Sequence, residues 1–192
     1  MLRLADVLHD WGLTETASVV SRAKARLKAL NAFQRLVAEP RSLEMQMHQA
    51  LEGNVWVFGD EHELLKSNVT LQSVVKRLTD RVYSGGRGQK RPDLLLVGSM
   101  GRYLLVELKR PSHTVVHQDV AQRRDIATNR AYIGNQDQRI ELAIIGGRVD
   151  TVLPRSLAAD QWADSFDGLV VKASARLEWI LENLSPEAED LA

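Results

Sequence analysis

Apolar residues recur every three or four positions through the first forty residues, where Val20, Ala23, Leu27, Leu30 and Val37 fall on one helical stripe. The pattern predicts a short helix over about 2–11, a break at Gly12 and a longer helix over about 15–38. Glu39-Pro40 should stop it, because the residue before a proline disfavours the helical region. A third helix is expected after Ser42, a good N-cap residue, running through LEMQMHQALE to Gly53.

Beyond Gly53 the period changes. The stretch from Asn54 to Lys90 mixes aromatic and β-branched residues with turn formers and reads as strand and helix pieces, with a loop at Ser84–Gly88. That loop lacks the lysine and hydroxyl spacing of a nucleotide-binding P-loop. RPDLLLVGSMGRYLLVELKRPS, residues 91–112, reads as a buried hairpin. A helix is expected from about Gln118 to Ala131. IELAIIGGRV then reads as a buried strand ended by a glycine pair, DGLVVKA as a further strand, and RLEWILENL as the final helix. This order predicts an α/β fold in which a mixed central sheet is flanked by helices. Residues 1–40 read as a helical extension or connector and residues 41–192 as the domain proper.

The hairpin carries the candidate chemistry. Residues two apart in a strand share a face, so Glu107 and Lys109 project together. Asp93 joins them only in one register. A two-residue loop, Ser99-Met100, would set Asp93 opposite Val106 and turn it away from Glu107. A three-residue loop, Ser99-Met100-Gly101, sets Asp93 opposite Glu107, with Gly101 suited to the left-handed closing position. A bulge would correct the register equally well, and one of these two devices is expected.

Composition narrows what such a site can be. The 192 residues suffice for one domain with an appended helical piece, and 44% hydrophobic with 26% charged residues is ordinary globular usage. The absence of cysteine excludes disulfides, thiolate metal sites and a cysteine nucleophile, so any metal must be held by oxygen or imidazole. No apolar run approaches a membrane span, and a cytoplasmic protein with no membrane partner is expected. Net charge is zero, but between Lys76 and Arg124 eleven basic residues face four acidic ones. That distribution suits a phosphate backbone as ligand, and equally a solvated face of salt-bridged arginines.

Two carboxylates on neighbouring strands, with a lysine two residues on, make a site for a hard divalent cation such as Mg²⁺ or Mn²⁺. The reaction class supported is phosphodiester hydrolysis, with Lys109 orienting water or stabilising charge on phosphate. The same residues also read as ion pairs at solvated strand ends. His113 and His117, four apart, read as surface or phosphate-contacting residues in preference to a metal pair, which would lack a third ligand. Trp56 and Phe58 read as core. No recognition helix or zinc finger is visible.

Pro92-Asp93 followed by Glu107-Leu108-Lys109 resembles the signature of the PD-(D/E)xK nuclease superfamily. Together with LEMQMHQALEGNVWVFG and the Glu-Leu-Lys-Arg-Pro run, it is similar to Shedu-type nuclease domains of prokaryotic anti-phage defence, over about 42–149. The resemblance implies a restriction-endonuclease-like core and Mg²⁺- or Mn²⁺-dependent cleavage of DNA. It implies metal binding by Asp93, Glu107 and the Leu108 carbonyl, and assistance to the attacking water by Lys109. It further implies an acid from the early helix, Glu44 before Glu52, and a glutamine after the lysine, Gln122 or Gln118. The tyrosine that often follows this glutamine by four is replaced by Ile126. Arg87, Lys90, Arg110, Arg123 and Arg124 suit contacts to DNA phosphates. Such a domain acts as a homo-oligomer or attached to a larger defence protein. The rival reading is a non-catalytic binding or regulatory module of nuclease fold on an ATPase-linked protein.

Overall fold

The computed structural model describes residues 4–39, 41–68, 70, 73, 76, 91–121, 139–153, 157 and 159–184. Helix α1 runs without interruption over Leu4–Ala38. The expected break at Gly12 is absent. A glycine inside a helix costs only about 1 kcal/mol relative to alanine, and here the Thr16 hydroxyl donates to the Gly12 carbonyl at 2.8 Å. The apolar stripe holds the helix down: Ala23, Leu30 and Phe33 are buried, with Leu27, Leu36 and Val37 packed beside them.

Helix α2 spans Glu44–Glu52 and is capped by Leu43, not by Ser42. The Leu43 N–H donates to the Gln46 side-chain oxygen at 2.7 Å. The Ser42 hydroxyl instead donates to the Leu36 carbonyl, in the last turn of α1, where carbonyls lack intrahelical partners. Ser42 therefore seals the end of one helix and leaves the start of the next to a glutamine.

A 3-10 turn at Val55–Phe58 leads to strand β1, Glu63–Ser67. Strands β2 (Leu94–Val97) and β3 (Arg102–Leu108) form the hairpin, β4 (Thr114–Val115) precedes the short helix α3 (His117–Ala121), and β5 covers Arg139–Gly146. Strands β6 (Arg148–Val149) and β7 (Gln161–Ser165) follow, and helix α4 (Phe166–Leu184) closes the order. The main sheet is ordered β1-β2-β3-β5-β7, antiparallel on the β1 side and parallel from β3 onward. The protein is thus α/β with a mixed central sheet flanked by helices.

DGLVVKA lies within α4 and is not a strand. Phe166, Leu169, Val170, Ala173 and Leu177 are buried at three- and four-residue spacing, so the short apolar run is one part of a longer helical face. The Ser165 hydroxyl accepts the Gly168 N–H at 2.9 Å, satisfying a first-turn donor.

The sheet has two apolar faces. Leu94, Leu96, Leu104, Val106, Leu108, Ala143 and Ile145 pack beneath α1, α2 and α4. On the other face Leu95, Leu105, Ile140, Leu142 and Ile144 meet Val115, Val120 and Leu153. Among the described residues no helix is long and apolar enough to cross a membrane.

The segment after Lys109 is held against the end of β5. Gly147 donates its N–H to the His113 carbonyl at 2.9 Å, and a Cβ at Gly147 would run into the Pro111 carbonyl. That obstacle is backbone and cannot rotate away. Gly147→Ala is expected to destabilise the protein by about 3 kcal/mol through overpacking, whereas Gly53→Ala, facing open space, should stay within about 0.5 kcal/mol. Urea unfolding of the two variants checks the difference.

Candidate active site

The hairpin turn decides where its carboxylates point. Ser99–Gly101 form the three-residue turn, with Gly101 at φ 69° in the left-handed region and the Gly98 N–H donating to the Arg102 carbonyl at 2.8 Å. The register pairs Leu94 with Val106 and Val97 with Tyr103. The pairing ends there, and just beyond it the Asp93 carboxyl lies near enough to Glu107 for that charge to act on it. Of the two registers open to the sequence, this is the one that gathers the site, and it does so through the turn.

Asp93 is tied on all sides. Its N–H donates to the Val106 carbonyl at 3.1 Å and its carbonyl accepts the Asn68 N–H at 3.0 Å. Its side-chain Oδ2 accepts the Leu108 N–H at 2.7 Å, across the hairpin. Pro92 before it is buried. Burial is the main influence on its carboxyl, pushing the pKa up to about 6, against the Leu108 N–H, which favours the charged form. The negative charges of Glu107 and then Glu44 add to the rise, while His48 opposes it.

Glu107 is only 6% exposed, a buried acid after the apolar run Leu104–Val106 of β3. The Lys109 ammonium donates to Glu107 Oε1 at 3.2 Å, so the two side chains share one side of the strand as their spacing requires. Leu108 between them turns into the helix-covered core. Asp93, Glu107 and Lys109 therefore converge at the end of β3, and Leu108 takes part through its main chain.

Glu44 sits exposed in the first turn of α2, near enough for its charge to act on Asp93. Nothing ties Glu52, at the far end of α2, to the group. Gln118 and Arg110 are exposed near the exit of the motif. Arg87, Lys90, Gln122, Arg123, Arg124 and the Ser84–Gly88 loop lie outside the described residues. Trp56 and Phe58 pack against the core, and the Arg26 guanidinium lies 4.8 Å from the Trp56 ring centre. His113 does not present itself for a metal pair: its Nε2 lies 2.9 Å from Asp119 Oδ2, while His117 is exposed at the start of α3. Burial alone would raise the Asp119 carboxyl, but the Val116 N–H, His113 and Lys109 outweigh it and hold the pKa below the usual range.

Two neighbours of the site carry no sequence motif. His48 Nε2 lies 3.0 Å from the Asp93 carbonyl and 2.9 Å from Ser67 Oγ. The available signal was its position four residues after Glu44, on the same face of α2.

Among the described residues no group of three or more His, Asp or Glu side chains forms a ready cage for a metal ion. The donor set is instead two acids, Asp93 and Glu107, with Glu44 at the margin. This is what Mg²⁺ accepts, because it keeps several waters and takes one or two carboxylates. Burial does most to raise Asp93, and the repulsion from Glu107 and Glu44 that adds to it is what a cation would relieve, so the residues fit such an ion.

The raised pKa makes Asp93 a stability liability. An acid whose folded pKa lies above its unfolded value of 3.8 favours the folded state below pH 3.8 and loses that contribution as pH rises through about 6. Asp93→Asn, which keeps an acceptor for the Leu108 N–H, should therefore stabilise the metal-free protein above pH 6. The gain should be at most about 3 kcal/mol at 1.36 kcal/mol per pKa unit, and should vanish near pH 4. Denaturant unfolding in EDTA across pH 4–8 reads this directly.

No model of a known protein family matches the chain, and no curated protein matches it.

Proposed function

We propose that the protein is a metal-dependent nuclease that hydrolyses phosphodiester bonds in DNA. The observation that carries this reading is the convergence of Asp93, Glu107 and Lys109 at the end of β3, with Lys109 Nζ 3.2 Å from Glu107 Oε1. The resemblance to PD-(D/E)xK nucleases rests on these same residues, and the narrower one to Shedu-type domains also on LEMQMHQALEGNVWVFG and the Glu-Leu-Lys-Arg-Pro run. A role in prokaryotic defence follows from that resemblance alone.

In this reading Asp93 and Glu107 hold Mg²⁺ or Mn²⁺, with Glu44 in reach to orient a water. When bound, the ion supplies Lewis-acid polarisation of a phosphoryl oxygen and a more acidic water. The chain's own residues do the rest. Asp93 must be ionised to bind, and the Leu108 N–H fixes which way its carboxylate turns. Glu107, anchored in a mostly apolar strand, presents its charge without room to swing. Lys109 carries a donor that can pass from Glu107 to a water or to the charge developing on phosphate. Arg110, exposed just beyond, suits a phosphate contact that positions DNA without reading its sequence.

Purified protein should cleave plasmid DNA with Mg²⁺ or Mn²⁺ and not with EDTA. Glu107→Ala should abolish cleavage, and Lys109→Ala should lower it by roughly a hundredfold or more, both with intact circular dichroism. A wild type that neither cleaves DNA with any divalent metal nor binds Mn²⁺ calorimetrically would overturn the reading in favour of a non-catalytic binding module.

Since metal and proton compete for Asp93, Mn²⁺ affinity should fall by about tenfold per pH unit below pH 6 and level off above it. Calorimetric titrations at half-unit pH steps test this. An affinity independent of pH between 5 and 7 would remove Asp93 from the ligand set.

A further inference from the structure

We infer that His48 is a positioning residue for Asp93, locking the α2 helix and the end of β1 onto the main chain of the site's first carboxylate; this rests on the nuclease reading above. His48 Nε2 sits 3.0 Å from the Asp93 carbonyl and 2.9 Å from Ser67 Oγ. A carbonyl can only accept, so a contact of this length requires a proton on Nε2. The alternative tautomer would set a ring lone pair against the carbonyl oxygen. The Nε2–H is thus shared between the Asp93 carbonyl and the Ser67 hydroxyl oxygen.

The same carbonyl accepts the Asn68 N–H at 3.0 Å, so both of its lone-pair directions are taken. Asn68 reaches it from a left-handed backbone, φ 52°, directly after β1 ends at Ser67. Three separate elements therefore meet on one residue. The α2 helix contributes His48, itself in contact with Ser67 of β1, the residue after β1 contributes the Asn68 N–H, and β3 contributes the Val106 carbonyl and the Leu108 N–H.

The function of this arrangement follows from the electrostatics of the acid it holds. Asp93 faces the negative charges of Glu107 and Glu44. Left to itself, a strand end in that field would rotate its carboxylate outward to water. With the carbonyl held by His48 and Asn68 and the amide held by Val106, the peptide on each side of Asp93 is fixed. The Cβ of Asp93 is thereby held where the Leu108 N–H can bind the carboxylate and set its direction. Because Glu44 lies one turn before His48 on α2, the same contact sets the distance of the third acid from the first. Supporting residues of this kind typically change metal affinity by about 10–100-fold when removed.

The test compares wild type, His48→Ala and His48→Gln, the last retaining an N–H donor near the position of Nε2. Amide hydrogen exchange is read at Leu108 and Asn68, with Ile144 in the buried core as reference, alongside Mn²⁺ affinity by calorimetry. The expected result is about tenfold faster exchange at Leu108 and Asn68 in His48→Ala, with Ile144 unchanged, about tenfold weaker Mn²⁺ binding, and recovery of both in His48→Gln. Unchanged exchange at Leu108 in His48→Ala would overturn the inference. So would equal acceleration at Ile144, which would make His48 merely structural, or a His48→Gln variant no better than alanine. Wild-type protein that binds no Mn²⁺ but shows the expected exchange pattern would sink the nuclease reading while leaving the positioning role established.

Discussion

The register of the β2–β3 hairpin is the constraint on which the rest of the site depends. Strand side chains alternate with a period of two, so a slip of one residue would move every side chain of β3 to the opposite face. It would carry Glu107 and Lys109 into the layer beneath α1 and α4 and bring Leu108 out. The three-residue turn closed by Gly101 excludes that slip locally, and the difference between the two faces excludes it globally. Leu104, Val106 and Leu108 fill a space between sheet and helices, while Leu105 meets Val115 and Val120.

The site is then a balance between burial and charge. Burying an acid is unfavourable unless it is paired or hydrogen-bonded, and each buried or half-buried acid here has a specific remedy. Glu107 has the Lys109 ammonium, and Asp93 has the Leu108 N–H. Asp119, a little further along the chain, has the Val116 N–H and His113. The remedy for Asp93 is incomplete, as its raised pKa records. A shifted acid beside other charged groups is what makes this strand end a candidate functional site.

Much of this was legible in the sequence because single residues carried unambiguous physical meaning. Glycine at 101 spoke for a left-handed turn, and Glu-x-Lys spoke for a shared strand face. The helical stripe of α1 was equally plain, and only the weight given to Gly12 was wrong, since packing overrides one glycine. DGLVVKA was misread because a short apolar run has no period of its own. Its helical character appears only when Phe166 and Leu177 are counted with it. Ser42 was misassigned because a serine between two helices can serve either, and the choice depends on the turn between them. The i+4 spacing from Glu44 placed His48 on the side of α2 that faces the site, but its bond to a main-chain carbonyl 45 residues away has no counterpart in the side-chain pattern.

The first long helix packs against the last, and both cover the same face of the sheet. During synthesis, then, the strands that carry the site emerge from the ribosome well before α4 exists to cover them. Leu94, Leu96, Leu104 and Val106 must wait with α4's share of that face uncovered, although α1 and α2 are already made. Closure of the helical layer is a long-range event, of the kind that slows folding and leaves apolar strands exposed to wrong partners. A cell making this protein therefore passes through an interval in which these strands exist without α4 to cover them. In that interval a holdase chaperone would find its binding surface on the same strands whose ends carry the acids.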